Sequence, residues 1–264
     1  LKDHKFINLT IRDLDLLSPC DACHSGKIRR ADRPKTDPNN PSSSPHFGHT
    51  IASDSTGRQD TPTRSGKKYA NISVDVHTRW TWVTLLLTLK DSFARVTKRI
   101  LKHLHPHTKI FRSDLGPEFK NSWTSEFLEE LGIKAEFACA GDHYQNGLPE
   151  TTIRLLYNMA RTFLADAKMP ISFWGEAMIC ACFMKNRLPS AALGGMSPYE
   201  KRFKKRFDMR RMRAFGSHCT VMKHPDRLTG NKTRRRCFKG IMVGYRDPFG
   251  LKGYRVYVPD LKCI

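Results

Sequence analysis

The sequence predicts an α/β layer fold, a mixed sheet with helices, followed by a small β-rich module. Three observations carry this reading. Strand-like and helix-like patterns run in the order three strands, helix, strand, helix, strand, helix through the middle of the chain. Three acidic residues, Asp54, Asp114 and Glu150, fall at two strand ends and a helix start. Beyond Phe215 the pattern changes to short apolar runs separated by Gly, Pro and Asp turns, as in a small barrel.

The first strand is the run 49–53, which leads into Asp54. Residues 68–76 and 79–89 are rich in β-branched and aromatic side chains and suit a hairpin. Asp91 is placed to cap a helix in which Phe93, Val96, Ile100, Leu101 and Leu104 recur at helical spacing. Residues 109–113 return as a strand, with Asp114 just past its end. A helix over 122–131 stops at Gly132, residues 133–139 alternate as a strand, and 141–147 form a polar loop. Glu150 is expected to open the next helix. Its apolar stripe is Ile153, Leu156, Met159, Ala160, Phe163 and Leu164, while Glu150, Arg154, Tyr157 and Arg161 share the other face. A further helix spans 172–187. Another starts at Pro198, where Ser197 and Glu200 form a capping box with proline at the first helical position.

Composition narrows the partners. Forty-six Lys and Arg against 25 Asp and Glu give a formal charge of +21, which points to a polyanion, and nucleic acid is the expected one. No apolar run approaches membrane-spanning length and no signal pattern precedes the first charges, so no membrane is expected. An intracellular chain whose partner is chromosomal DNA is expected in the nucleus. Of the eight cysteines, only Cys20 and Cys23 have a spacing that suggests chemistry. The others read as small apolar fillers in a reducing compartment. Residues 33–48 carry several prolines and polar residues without apolar periodicity and read as a linker. The divisions expected are therefore 1–32, the linker 33–48, a core over 49–212 and a C-terminal module over 213–264.

The acids suit phosphoryl transfer on nucleic acid. Such a reaction must stabilise a crowded, charged transition state and create an oxygen nucleophile near neutral pH, which two divalent ions roughly 4 Å apart can do. Mg²⁺ prefers oxygen ligands and keeps several waters, so three carboxylates, one shared, suffice for a pair. Asp54, Asp114 and Glu150 supply that count from three elements, with 35 residues between the last two. Spacing alone is weak, because most surface acids are simply solvated. Asp75, Glu118 and Asp142 are read as such structural or solvated neighbours.

The flanking residues carry a more specific signal. IFRSDLGPEF around Asp114 and YQNGLPE into Glu150 resemble the integrase of copia-type LTR retrotransposons, part of a Gag-Pol polyprotein. DSTGR at Asp54, VDVHTRWTWV, FWGEAMICACFMKNRLPS and MSPYEKRF are similar to further parts of that family's core. RAFGSHCTV, KGIMVGY and KGYRVY resemble its SH3-like β-barrel. The resemblance implies an RNase H-like core, a mixed five-stranded sheet with helices, and a polynucleotidyl transferase that joins element DNA ends into host DNA. It implies Mg²⁺ or Mn²⁺ as cofactor, held by Asp54, Asp114 and Glu150, and a homo-oligomer at work. CDACHSGK resembles half of the family's N-terminal zinc-binding (GAG-pre-integrase) module. Cys20 and Cys23 form only a partial zinc site, because the upstream histidine pair is not found, and no stoichiometric Zn²⁺ is expected.

Candidate DNA contacts are Tyr144, Gln145 and Asn146 in the loop before Glu150, and Arg154 and Arg161 on the helix after it. Two basic clusters, KRFKKRFDMRRMR and KTRRRCFK, add Arg210, Arg211, Arg234 and Arg235. In the first cluster Phe203, Phe207 and Met212 are expected to anchor the backbone while the cations face outward to phosphates. For Arg154 the competing reading is an ion pair within the helix. Two readings of the whole compete with an active integrase: a decayed copy that only binds nucleic acid, and an RNase H-like nuclease that cuts without joining.

Overall fold

A computed structural model describes residues 44–89, 98–114, 116, 119, 122–137, 146–222, 236–246 and 253–264. The segments 1–32 and 33–43, and with them Cys20 and Cys23, lie outside the described residues, as do Glu118, Asp142, Tyr144, Gln145, Arg234 and Arg235.

The element order is β1 (Thr50–Ser55), β2 (Tyr69–Asp75), β3 (Thr81–Leu86), α1 (Lys98–Leu104), β4 (Ile110–Ser113), α2 (Ser122–Glu130), β5 (Lys134–Phe137), α3 (Gly147–Asp166), α4 (Trp174–Lys185), α5 (Pro198–Phe203), β6 (His218–Met222), β7 (Cys237–Tyr245) and β8 (Tyr254–Tyr257). The first five strands form one mixed sheet in the order β3-β2-β1-β4-β5. β1, β2 and β3 pair antiparallel, and β1–β4 and β4–β5 pair parallel. The helical connections make the parallel pairs possible, since a parallel crossover needs a dozen or more residues.

Alternation along the strands sends side chains to two layers. Ala70, Ile72 and Val74 of β2 pack with Leu156 and Ala160 of α3 and with Ala177, Met178 and Ala181 of α4. Ile51, Trp82, Leu86 and Phe111 point the other way, to Leu101 and Leu104 of α1 and Phe127 and Leu128 of α2. The same strand β2 carries the buried polar residues Asn71, Ser73 and Asp75 between its apolar ones, and Asp75 accepts from the Gly48 N–H at 2.8 Å and the Thr78 N–H at 2.7 Å. Asp75 is thus a structural acid.

α2 ends as its sequence requires, with Gly132 in the left-handed region at φ 61°. The capping box at α5 forms in full: Ser197 Oγ accepts from the Glu200 N–H at 3.1 Å, and Glu200 accepts from the Ser197 N–H at 2.8 Å. α3 starts three residues earlier than expected, so Glu150 sits in its first turn rather than at its opening. Pro149 is tolerated there because the first-turn N–H groups lack intrahelical partners anyway. Tyr157, expected on the open polar face, is half-buried instead, because that face of the helix lies over Thr56.

β6, β7 and β8 form a three-stranded antiparallel sheet. It shares a core with the helices on the large sheet: Phe215, Met242, Val243 and Tyr245 join the cluster around α3 and α4. Tyr245 stacks on Phe183 at 3.9 Å, Phe163 on Phe215 at 5.9 Å, and Tyr257 meets Phe173 edge-on at 5.0 Å. α4 is apolar on nearly all sides because it is covered by the large sheet on one side and β7 on the other. Cys180 and Cys182 on α4 are the buried fillers expected, and burial pushes both thiols up to about 12. Cys219 and Cys237 are half-buried, and Cys263 departs from that expectation, since it is exposed where it bridges to Val258. Among the described residues no helix is long and apolar enough to cross a membrane.

Candidate active site

Backbone register sets the relation between Asp54 and Asp114. β1 and β4 run parallel with Thr50 opposite Ile110, Ile51 opposite Phe111 and Ala52 opposite Arg112. Continued by two residues, the same register sets Asp54 opposite Asp114, at the C-terminal ends of neighbouring strands roughly 4.8 Å apart. Asp54 pairs with Ile72 on β2, so it shares the face that α3 covers. Ligand sites of open α/β sheets lie outside the carboxyl ends of strands, where these acids are.

Each carboxylate has local donors. Asp54 Oδ1 accepts from the Ser55 N–H at 2.7 Å, and Asp114 Oδ1 accepts from the Gly116 N–H at 3.3 Å. Beneath Asp54 lies a polar network that the sequence reading did not single out. Asn71 Nδ2 lies within hydrogen-bonding reach of the Asp54 carbonyl at 3.3 Å, of Ser53 Oγ at 3.1 Å and of Ser55 Oγ at 3.2 Å. Ser53 and Ser73 hydroxyls are 3.1 Å apart beside it. The signal was present as polar alternation in NISVD, but alternation alone reads as a solvated strand face.

The third acid arrives on a helix fastened to β1. Asn146, at the N-cap of α3, donates from Nδ2 to the Ser53 carbonyl at 3.3 Å. Glu150 follows one turn later and is exposed; its carboxylate lies 3.8 Å from the Arg154 guanidinium. The intrahelical pair weighed for Arg154 is therefore formed, and Arg161 donates to Asn158 on the same helix. Tyr157 packs beside Thr56, and burial raises its phenol above the ordinary value, partly offset by Thr56. Among the described residues no three His, Cys, Asp or Glu side chains are drawn close enough to form a metal-holding group. The strand ends thus place two acids side by side and a third on the adjoining helix, without gathering all three carboxylates.

As a donor set the residues fit a hard divalent ion. The acids bring oxygen ligands only, and Asn146 Oδ1 is buried with no hydrogen-bond partner among the described residues. Next along β4, Arg112 bonds Glu136 on β5 at 2.9 Å. Burial raises the Glu136 carboxyl, but the bonds from Arg112 and Lys134 outweigh it and hold the group below its usual range.

Residues 48–143 match the Integrase core domain family. The chain is 29% identical over 252 residues to the retrovirus-related Pol polyprotein from transposon TNT 1-94 of Nicotiana tabacum, covering 94% of this chain and 18% of that protein. It is also 29% identical over 178 residues to the polyprotein from transposon RE1 of Arabidopsis thaliana, covering 66% of this chain and 12% of that one. These matches support an LTR-retrotransposon integrase. The chain spans less than a fifth of either polyprotein. The HTLV-2 integrase catalytic core domain, solved in complex with magnesium, aligns with a TM-score of 0.47 and 18% identity over 60% of this chain and 97% of that one.

In this chain the basic run 201–213 departs from the outward display expected. Arg202 turns inward, over Phe47 at 4.2 Å and Trp80 at 4.5 Å, and burial pushes its pKa down to about 10. Arginine suits this place, since its planar and weakly hydrated guanidinium stacks on aromatic faces. Arg206 pairs with Glu200 at 3.2 Å, and Arg210 makes two bonds to Asp208, at 3.0 and 3.1 Å. Arg210 is exposed; the Arg211 side chain lies outside the described residues. Phe207 anchors the run as expected, edge-on to Phe183 and Tyr199. Arg187, missed by charge patterning because it stands alone, sits 3.3 Å from the Phe183 ring centre and 4.6 Å from that of Phe207, and burial pushes it down to about 10.

Proposed function

We propose that this integrase joins element DNA ends to target DNA by two-metal phosphoryl transfer, with Asp54, Asp114 and Glu150 as the metal-holding acids. The observation that supports it most is the parallel β1–β4 register, which, if continued by two residues beyond Ala52 and Arg112, brings Asp54 and Asp114 opposite one another. Mg²⁺ or Mn²⁺, when bound, supplies an activated oxygen nucleophile and neutralises charge on the transferring phosphoryl group. The protein's part is to fix the acids. Asn71 holds the main chain at Asp54, and the parallel register holds Asp114 beside it. In the reaction the terminal 3′-hydroxyl of the element end gives up its proton and its oxygen bonds to a target phosphorus, the bond from that phosphorus to the target's own 3′-oxygen breaks, and the released 3′-oxygen takes up a proton. One phosphodiester is exchanged for another.

The basic surface binds DNA through phosphates, in a sequence-tolerant way, and an oligomer working in the nucleus follows from the same reading. Tyr144, Gln145, Arg234 and Arg235 remain candidate contacts with Arg154, Arg161 and Arg210. The C-terminal strands are proposed to complete the SH3-like barrel, and 1–32 to be the zinc-module remnant. A strand-transfer assay with a matching terminal-repeat end and Mg²⁺ or Mn²⁺ tests the function. Joining by the wild type that is lost in Asp114→Asn, with DNA affinity kept, is expected. Cutting without joining would identify a nuclease instead. DNA binding without chemistry would identify a decayed copy.

A further inference from the structure

We propose that Asn146 is a positioning residue that sets Glu150 relative to Asp54 by tying the start of α3 to the main chain of β1. The role rests on reading Asp54, Asp114 and Glu150 as the metal-holding acids. Asparagine is among the best N-cap residues because its side chain accepts a bond from the first helical turn. Asn146 holds the N-cap position of α3 yet makes no such bond. Its amide nitrogen reaches across the site to the Ser53 carbonyl, immediately before Asp54. Its amide oxygen is buried and unpaired among the described residues, so neither end of the side chain serves its own helix.

The forgone cap is informative because the tether joins the two elements that carry Asp54 and Glu150. Glu150 lies four residues on from Asn146, one turn along the same face. Tyr157 lies two turns further and meets Thr56. α3 therefore meets the chain on both sides of Asp54, at Ser53 of β1 through Asn146 and at Thr56, just past the end of β1, through Tyr157. Without the first contact the helix start is free to swing about the second, and Glu150 swings with it. Metal ligation tolerates only about 0.2 Å of displacement, so a small swing is enough to matter.

The test uses the full chain, with Mn²⁺ as the probe, titrated calorimetrically into wild type, Asn146→Ser and Asn146→Gln, and thermal midpoints measured alongside. Serine is a good cap but too short to reach Ser53; glutamine keeps the amide donor but caps poorly. Positioning predicts about tenfold weaker Mn²⁺ binding in the serine variant at an unchanged midpoint, with glutamine closer to wild type. The reverse order, glutamine worse than serine in both readouts, is the signature of a simple cap and overturns the role. Asp114→Asn is the control for the acids themselves. If the wild type binds no Mn²⁺, or Asp114→Asn binds it equally well, the reading of the acids fails and the positioning role falls with it.

Discussion

The strand-end acids and the basic run 201–213 are both charged segments, but the fold treats them in opposite ways. Asp54 and Asp114 are placed by backbone register, which two hydrogen-bonded strands fix regardless of what the side chains do. The basic residues are placed by whatever partners the tertiary structure offers. Arg202 goes to aromatic faces, Arg206 to Glu200 and Arg210 to Asp208. A carboxylate pair set by register has few alternatives; a long flexible cation has many. Charge counted along the sequence therefore overstates the charge left for an outside partner, whereas acids counted at strand ends do not lose their places.

The sharpest way to break this contrast is to neutralise an acid without disturbing the strand. Asp54→Asn is expected to lower strand transfer by about three orders of magnitude, while circular dichroism and DNA affinity stay as in wild type. Removal of divalent metal by EDTA should do the same. A variant that joins DNA normally would take Asp54 out of the site.

The basic side is tested next, by stability rather than rate. Arg187→Ala leaves Phe183, Phe207 and Tyr199 around a void and should lower unfolding free energy by about 2–4 kcal/mol in denaturant titrations. Loss of DNA affinity without loss of stability would show that Arg187 serves DNA instead. Asn71→Ala, under the acid pair, should cost about 1–3 kcal/mol, because it strands buried hydroxyls of Ser53 and Ser73. It should also slow strand transfer, which a purely structural residue elsewhere would not.

A smaller effect concerns the junction between the large sheet and the C-terminal strands. Glu176 of α4 is buried 3.6 Å from Arg255 of β8, and burial raises its carboxyl above the ordinary range, with Arg255 and Arg64 opposing. The folded chain thus binds this proton more tightly than the unfolded chain. Stability should decline as pH rises from the ordinary glutamate range through the raised value. Glu176→Gln should flatten that slope, as followed by thermal midpoints across pH; an unchanged slope would assign it to other groups.

The smallest effect is on the salt dependence of DNA binding. Neutralising Arg210, Arg211, Arg234 and Arg235 together should make the logarithmic salt slope shallower by at most about four units. Asp208→Asn, which releases Arg210, should steepen it by less than about one unit. No change in either would remove the run from the DNA path.

By itself the sequence determined the order of strands and helices, the capping box at Ser197 and Glu200, and the positions of Asp54 and Asp114 at strand ends. These rest on periodicity, turn residues and local hydrogen bonds, which act over a few residues and are written in neighbouring positions. Only the tertiary structure decided that Asn71 and Ser73 are buried beneath Asp54, that Tyr157 turns toward Thr56, and that Arg202 and Arg187 cover rings. It also decided that Asn146 bonds to Ser53, 93 residues away, in place of its own helix. A polar strand face looks the same in sequence whether water or another layer covers it. A basic side chain likewise does not announce whether its partner is a phosphate, a carboxylate or an aromatic ring. Those choices depend on which surfaces meet when the sheet, α3, α4 and the C-terminal strands close on one another, and local sequence carries no record of that meeting.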